Sequence, residues 1–150
     1  MRTRERGQVL VEFALVSPLI LALLFGGIQF GYAFYTYNNL AKAVSDGARY
    51  ASMHTYFGLC TTSCNSDPAF VTAVQNVVLY GNPIPSGSPN PVVYNLASGN
   101  VTVTVAAVNN VPTTVTVGIT GYSMSLPLSS VTLTNKPAAM FPYVGRYAHP

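Results

Sequence analysis

The sequence predicts an α+β membrane protein, in which a long N-terminal transmembrane helix continues into a small extracytoplasmic domain with a second helix and an antiparallel β-sheet. Three observations predict it. No charged side chain occurs from Phe13 to Ala41. Apolar residues then recur every three or four positions as far as about Met53. Further on, two runs alternate valine with threonine.

Composition agrees with a membrane location. Charged residues are 7% of the chain and mean hydropathy is +0.35, whereas an ordinary soluble domain carries roughly 25% charged residues. The 150 residues suffice for one membrane segment and one domain of about 100 residues. The net charge of +3 does not point to nucleic acid, because Lys42, Arg49, Lys136 and Arg146 are scattered and form no phosphate-binding stripe. Arg2, Arg4 and Arg6 instead form a basic leader, residues 1–7, just ahead of the apolar run. Such a cluster tends to stay in the cytoplasm, which orients the chain N-in and C-out.

The first element spans residues 8–53. Its core, Ala14 to Ile28, is almost wholly apolar, and with its flanks it meets the length of about 20 residues that a spanning helix needs. A cleaved secretory signal has a shorter apolar region of about 7–15 residues; Gly31-Tyr32-Ala33 offers only a weak cleavage pattern, so an uncleaved anchor is expected. Pro18 lacks an amide hydrogen and is expected to kink or loosen the helix. Phe30, Tyr32, Phe34, Tyr35 and Tyr37 fall where the helix leaves the bilayer, a place that suits amphipathic rings. Beyond them Tyr37, Leu40, Ala41, Val44, Ala48 and Ala51 describe one apolar face of a helix that continues into the domain.

The domain, residues 54–150, begins with a turn-rich loop from His54 to Pro68. A second helix is marked by Phe70, Val71, Val74, Val77, Val78 and Leu79, with Asp67 before Pro68 as its cap and an end near Gly81. Four prolines between Gly81 and Pro91 make a long connection. Asn100–Val108 and Thr113–Thr120 read as strands of a hairpin turning at Asn109–Pro112. A third β segment is expected at Tyr122–Leu126 or Val131–Leu133, in a sheet packed on the outer half of the first helix.

Cys60 and Cys64 are the only cysteines. In the oxidising compartment that the topology implies they are expected to form a disulfide, with a stabilisation of about 2–3 kcal/mol. A metal site of Cys60, Cys64 and His54 is the alternative, and it lacks an evident fourth ligand. The extracytoplasmic carboxylates are Asp46 and Asp67, and no Ser-His-Asp set, carboxylate pair or phosphate loop can be assembled. The reading is a non-enzyme with no cofactor and no metal.

The stretch Arg6-Gly7-Gln8-Val9-Leu10-Val11-Glu12-Phe13-Ala14-Leu15, followed by Phe25-Gly26-Gly27-Ile28-Gln29-Phe30-Gly31 and Asp46-Gly47-Ala48-Arg49-Tyr50-Ala51, resembles the start of TadE-like pseudopilins over roughly Arg6 to Ser52. The resemblance implies a minor pilin-like component of the tight-adherence (Flp or type IVc) pilus system, in the bacterial inner membrane or incorporated in a pilus. It implies cleavage by a prepilin peptidase between Gly7 and Gln8, which makes Glu12 the fifth residue of the mature chain, with Phe13 after it. It also implies that Glu12 pairs with the new amine of Gln8 on a neighbouring subunit. The implied partners are other pseudopilins, the Flp-type pilin, the inner-membrane assembly platform and the lipid bilayer.

A carboxylate deep in a bilayer costs about 2.5–3.5 kcal/mol and less at the rim; the positive end of its own helix returns only about 0.3–1 kcal/mol. Gly26, Gly31, Gly47, Ala48, Arg49 and Tyr50 carry the rest of the signature. Gly27-x-x-x-Gly31 has a helix-packing spacing, Asp46 and Arg49 can pair across one turn, and Gly47 is expected to admit a close-packed strand or loop. A membrane-anchored adhesin or sensor, with the Thr-rich sheet as its binding face, is the alternative function.

Overall fold

Helix α1 runs from Arg2 to Met53, 52 residues, a length of about 78 Å at 1.5 Å per residue. The structure is a computed structural model that describes residues 2–57, 68–109, 111–127 and 129–148. Residues 2–7 of the leader belong to the helix, and Pro18 lies inside it without dividing it. Cys60, Cys64, Asp67 and His149 lie outside the described residues.

Strand β1 (Tyr56–Phe57) follows, and then helix α2 (Pro68–Tyr80). Proline suits the first turn of α2 because its missing amide hydrogen is one that no helical carbonyl would accept. Gly81 ends α2 at a positive φ of 71°, with its amide donating to the Val77 carbonyl at 2.8 Å. This left-handed cap is cheap only without a Cβ.

The connection after α2 is pinned rather than loose. The Val92 amide donates to the Leu79 carbonyl at 2.7 Å, the Asn76 amide group to the Pro83 carbonyl at 3.1 Å, and Val93 and Leu96 are buried. A short 3-10 turn, Ser98–Asn100, leads into β2 (Val101–Val108), β3 (Val111–Ile119), β4 (Tyr122–Ser125), β5 (Ser130–Leu133), β6 (Ala138–Pro142) and β7 (Tyr147–Ala148).

The principal sheet has the order β2-β3-β6, antiparallel throughout. Its register sets Val101 opposite Ile119, Val103 opposite Val117 and Val105 opposite Val115, all six buried. Alternation places Thr102 and Thr104 on the wet face. A bulge between Ala106 and Ala107 shifts the register so that Pro112 faces Ala107. Proline is tolerated there because β6 pairs with β3 only from Thr114 onward.

The third strand of this sheet is β6, a segment the sequence reading did not name. The two segments it did name, Tyr122–Leu126 and Val131–Leu133, pair with each other as the separate hairpin β4–β5. A parallel pair, β1–β7, closes the far end.

Both helices cover one face of the sheet: α1 packs on β3 and β6, and α2 packs on β2 and on α1. The core consists of Leu40, Val44, Ala48 and Ala51 from α1, Phe70, Val74 and Val78 from α2, and the inward valines of β2 and β3. The buried face of α1 also takes in Thr36, Ala43, Gly47 and Ser52, while Tyr37 is exposed and Ala41 half-buried. The expected face holds at Leu40, Val44, Ala48 and Ala51 and differs at its edge, where the small residues Ala43 and Gly47 are buried, Gly47 against α2, and the larger Tyr37 is left to the surface.

Candidate assembly and anchoring site

The N-terminal half of α1 makes almost no use of its side chains inside the chain. Gly7, Gln8, Glu12 and Phe13 are all exposed, Phe13 at 68%. Large apolar side chains from Val9 to Ile28 are exposed as well, and α1 is the candidate membrane span, with mean hydropathy 2.4 in its most apolar stretch and none of that stretch buried in the chain. A helix this long and apolar suggests a membrane anchor. Gln8 and Glu12 are one turn apart on the same strip of the helix, about 6 Å along its axis.

The glycines divide into two kinds. A Cβ added at Gly26, Gly27 or Gly31 would meet nothing within 4 Å, so the fold of this chain does not require their smallness. At Gly47 an added Cβ would collide with Cγ2 of Val78 and come within 3.7 Å of the Val74 carbonyl oxygen. The close neighbour that Gly47 admits is thus helix α2, where a strand or loop was expected.

The remaining signature residues serve the helix end that enters the domain. Ala48 is buried against the core, whereas Asp46 and Arg49 point to solvent on the opposite face. The ring of Tyr50 stacks on His54 at 4.9 Å, and His54 stacks on Phe70 at 6.2 Å. Among the described residues no cluster of three or more His, Cys, Asp or Glu side chains could hold a metal, and His54 is occupied in this stack.

The C-terminal end of α1 depends on a segment that sequence reasoning missed. The Ser52 carbonyl accepts hydrogen bonds from the amides of Val144 at 2.8 Å and Gly145 at 2.9 Å. The Tyr143 hydroxyl lies 2.9 Å from the carbonyls of both His54 and Arg146 and can donate to either. Helix ends leave carbonyls unpaired, and here residues 143–145 supply the donors. Nothing in the composition of Tyr143-Val-Gly-Arg146 announces this role.

Between anchor and domain lies an aromatic collar. Phe30 and Phe34 stack at 6.5 Å, and Gln29 donates to the Ser129 hydroxyl at 2.6 Å, tying α1 to the β4–β5 turn. On the other side of the helix, Tyr32, Tyr35, Tyr94 and Tyr122 line a pocket of about 170 Å³. Tyr122 donates to the Tyr94 carbonyl at 2.9 Å, and burial pushes its phenol pKa up, with Tyr32 adding in the same direction.

Residues 7–49 match the family model for TadE-like protein. The segment is TadE-like. Comparisons with curated proteins and with solved structures gave no match. The TadE-like segment begins at Gly7, takes in the whole exposed apolar part of α1 and ends at Arg49, so it includes Glu12, Phe13, Gly26, Gly31, Gly47 and Ala48, while Tyr50 lies just past it. The match supports involvement in Tad pilus assembly in general and association with its components. The TadE-like family is one of structural pilus components, not of enzymes.

Proposed function

We propose that this chain acts as a minor pseudopilin of a tight-adherence pilus or secretion system, held N-in and C-out in the bacterial inner membrane. The observation that carries the reading is an overlap. The TadE-like segment, residues 7–49, contains the stretch of α1 whose large apolar side chains the domain leaves exposed, and an apolar surface unused within the chain is one fitted to neighbours and lipid.

In this reading a prepilin peptidase removes residues 1–7. The Gly7–Gln8 bond lies inside helical backbone, and glycine weakens a helix by about 0.8–1 kcal/mol relative to alanine, which lowers the cost of opening the backbone for cleavage. The freed amine of Gln8 and the carboxylate of Glu12 on a neighbouring subunit then neutralise one another in a medium where each alone is costly. The bare strip at Gly26, Gly27 and Gly31 allows a second helix to approach closely.

The test is Glu12→Ala. Membrane abundance should be unchanged, since the substitution removes a charge from an apolar helix, while recovery of pilin-like partners and pilus assembly should fall. Unchanged recovery and assembly would reduce Glu12 to a tolerated charge at the rim. An anchored adhesin or sensor has one observation in its favour, the tyrosine-lined pocket beside the collar; such an anchor has no need of a cut after Gly7, so the mass of the mature N-terminus separates the two.

A further inference from the structure

We infer that the β4–β5 hairpin is a second membrane-contacting element, whose tip rests among lipids of the leaflet nearest the domain. The inference rests on α1 as the membrane span, and its first support is a comparison of heights. A bilayer core is about 30 Å thick, or 20 residues of helix. With Glu12, the last charge before the apolar run, held at one rim, the other rim falls near residue 32. Ser129 is bonded to Gln29, and Leu126 and Ser129 line one groove with Gly26. The tip then lies about 5 Å inside the rim, by the helical rise over three residues. Placing the first rim at Gln8 brings the second to about residue 28, level with the tip; tilting the helix toward the hairpin's side buries the tip further.

Composition supports the same placement. No Asp, Glu, Lys or Arg occurs from Pro68 to Asn135, so the hairpin enters the rim without desolvating a charge. Its flank is apolar and open: Phe30, Phe34, Met124, Val131 and Leu133 line a groove of about 220 Å³, with Phe30 at 74%, Phe34 at 60% and Val131 at 46% exposure. This groove shares Phe30, Ala33 and Val131 with the one that reaches Gly26 on the exposed apolar part of α1, and that continuity argues for lipid as its occupant over a second protein. The Gln29–Ser129 hydrogen bond gains importance there, since water is scarce to replace it.

The chain has no tryptophan, so a single introduced one is a clean probe. Val131→Trp and, at the exposed tip, Pro127→Trp report on the hairpin. Leu24→Trp reports on the span, and Ile84→Trp, beside Tyr50 and His54, reports on the far side of the domain. Each full-length variant is reconstituted at low protein-to-lipid ratio in phosphatidylcholine–phosphatidylglycerol vesicles carrying a spin-label quencher near the headgroup or deep in the chains. The hairpin tryptophans should lose most of their emission to the shallow label, Leu24→Trp to the deep one, and Ile84→Trp to neither. Hairpin tryptophans quenched no more than Ile84→Trp, with Leu24→Trp quenched, overturn the inference and leave the span standing. A blue-shifted but unquenched hairpin signal also overturns it, in favour of a second copy covering the face. Loss of quenching at Leu24→Trp removes the span and the inference with it.

Discussion

Replacing Gly47 by alanine sets two effects of opposite sign against each other. Alanine is the better helix former by about 0.8–1 kcal/mol, so at an exposed helical site the change stabilises. At Gly47 the added Cβ meets Cγ2 of Val78 well inside van der Waals contact. Val78 is fully buried and as a β-branched residue in a helix has one strongly preferred rotamer, so α2 must shift away from α1. Overpacking of this kind costs about 1–3 kcal/mol, which leaves a net loss of about 0–2 kcal/mol after the propensity gain. Thermal unfolding of the detergent-solubilised full chain, followed by tyrosine near-ultraviolet dichroism, should show a lowered midpoint, at about 4–8 °C per kcal/mol for a domain of this size. Adding Val78→Ala should recover part of the loss, with a coupling of about 0.5–3 kcal/mol between the two sites. A stabilised Gly47→Ala, or strict additivity with Val78→Ala, would refute the close approach of the two helices.

Three other outcomes follow from the same structure and sequence. Intact-mass analysis of natively expressed protein should show a start at Gln8; an unshortened chain in cells that carry the cognate peptidase counts against pilin-type processing. Alkylation of protein from the native envelope without reductant should leave Cys60 and Cys64 unlabelled, and full labelling of both would reject the bridge. Tyr122→Phe should cost about 0.5–1.5 kcal/mol through the bond lost to the Tyr94 carbonyl. Because burial raises the Tyr122 phenol above its value in the unfolded chain, its contribution is intact below the unfolded pKa of about 10 and is lost as pH climbs through the folded one. The alkaline fall in stability should therefore be shallower in Tyr122→Phe, and an identical slope would rule out a titrating role for this phenol.

The parts of this fold that the sequence made legible are those where one physical demand repeats along the chain. Lipid contact demands a long apolar run, and Ala14 to Ile28 displays it. A half-buried strand demands alternation, and Val101 to Val105 and Val115 to Val117 obey it. Strand β6 was not legible because Ala138-Ala-Met-Phe-Pro142 has few β-branched residues and ends on a proline; its place is fixed by pairing with Thr114–Gly118, a long-range contact with no local signature. The capping of Ser52 by Val144 and Gly145 is hidden for the same reason. Gly47 is an intermediate case, since its residue type announces that something comes close, while only the fold identifies Val78. At the N-terminus, Gly7, Gln8, Glu12 and Phe13 are singled out by family resemblance alone, and the structure adds that the domain leaves them exposed.

The measurement that bears most directly on the central claim is the identity of the neighbours of the TadE-like segment in the native membrane. A photo-crosslinking amino acid at Phe13, in protein expressed at its natural level, captures whatever packs beside Glu12, and mass spectrometry of the adducts identifies it. The account predicts adducts with pilin-like subunits or with the inner-membrane assembly platform, diminished by Glu12→Ala. Adducts with lipid alone, unchanged by that substitution, would contradict it.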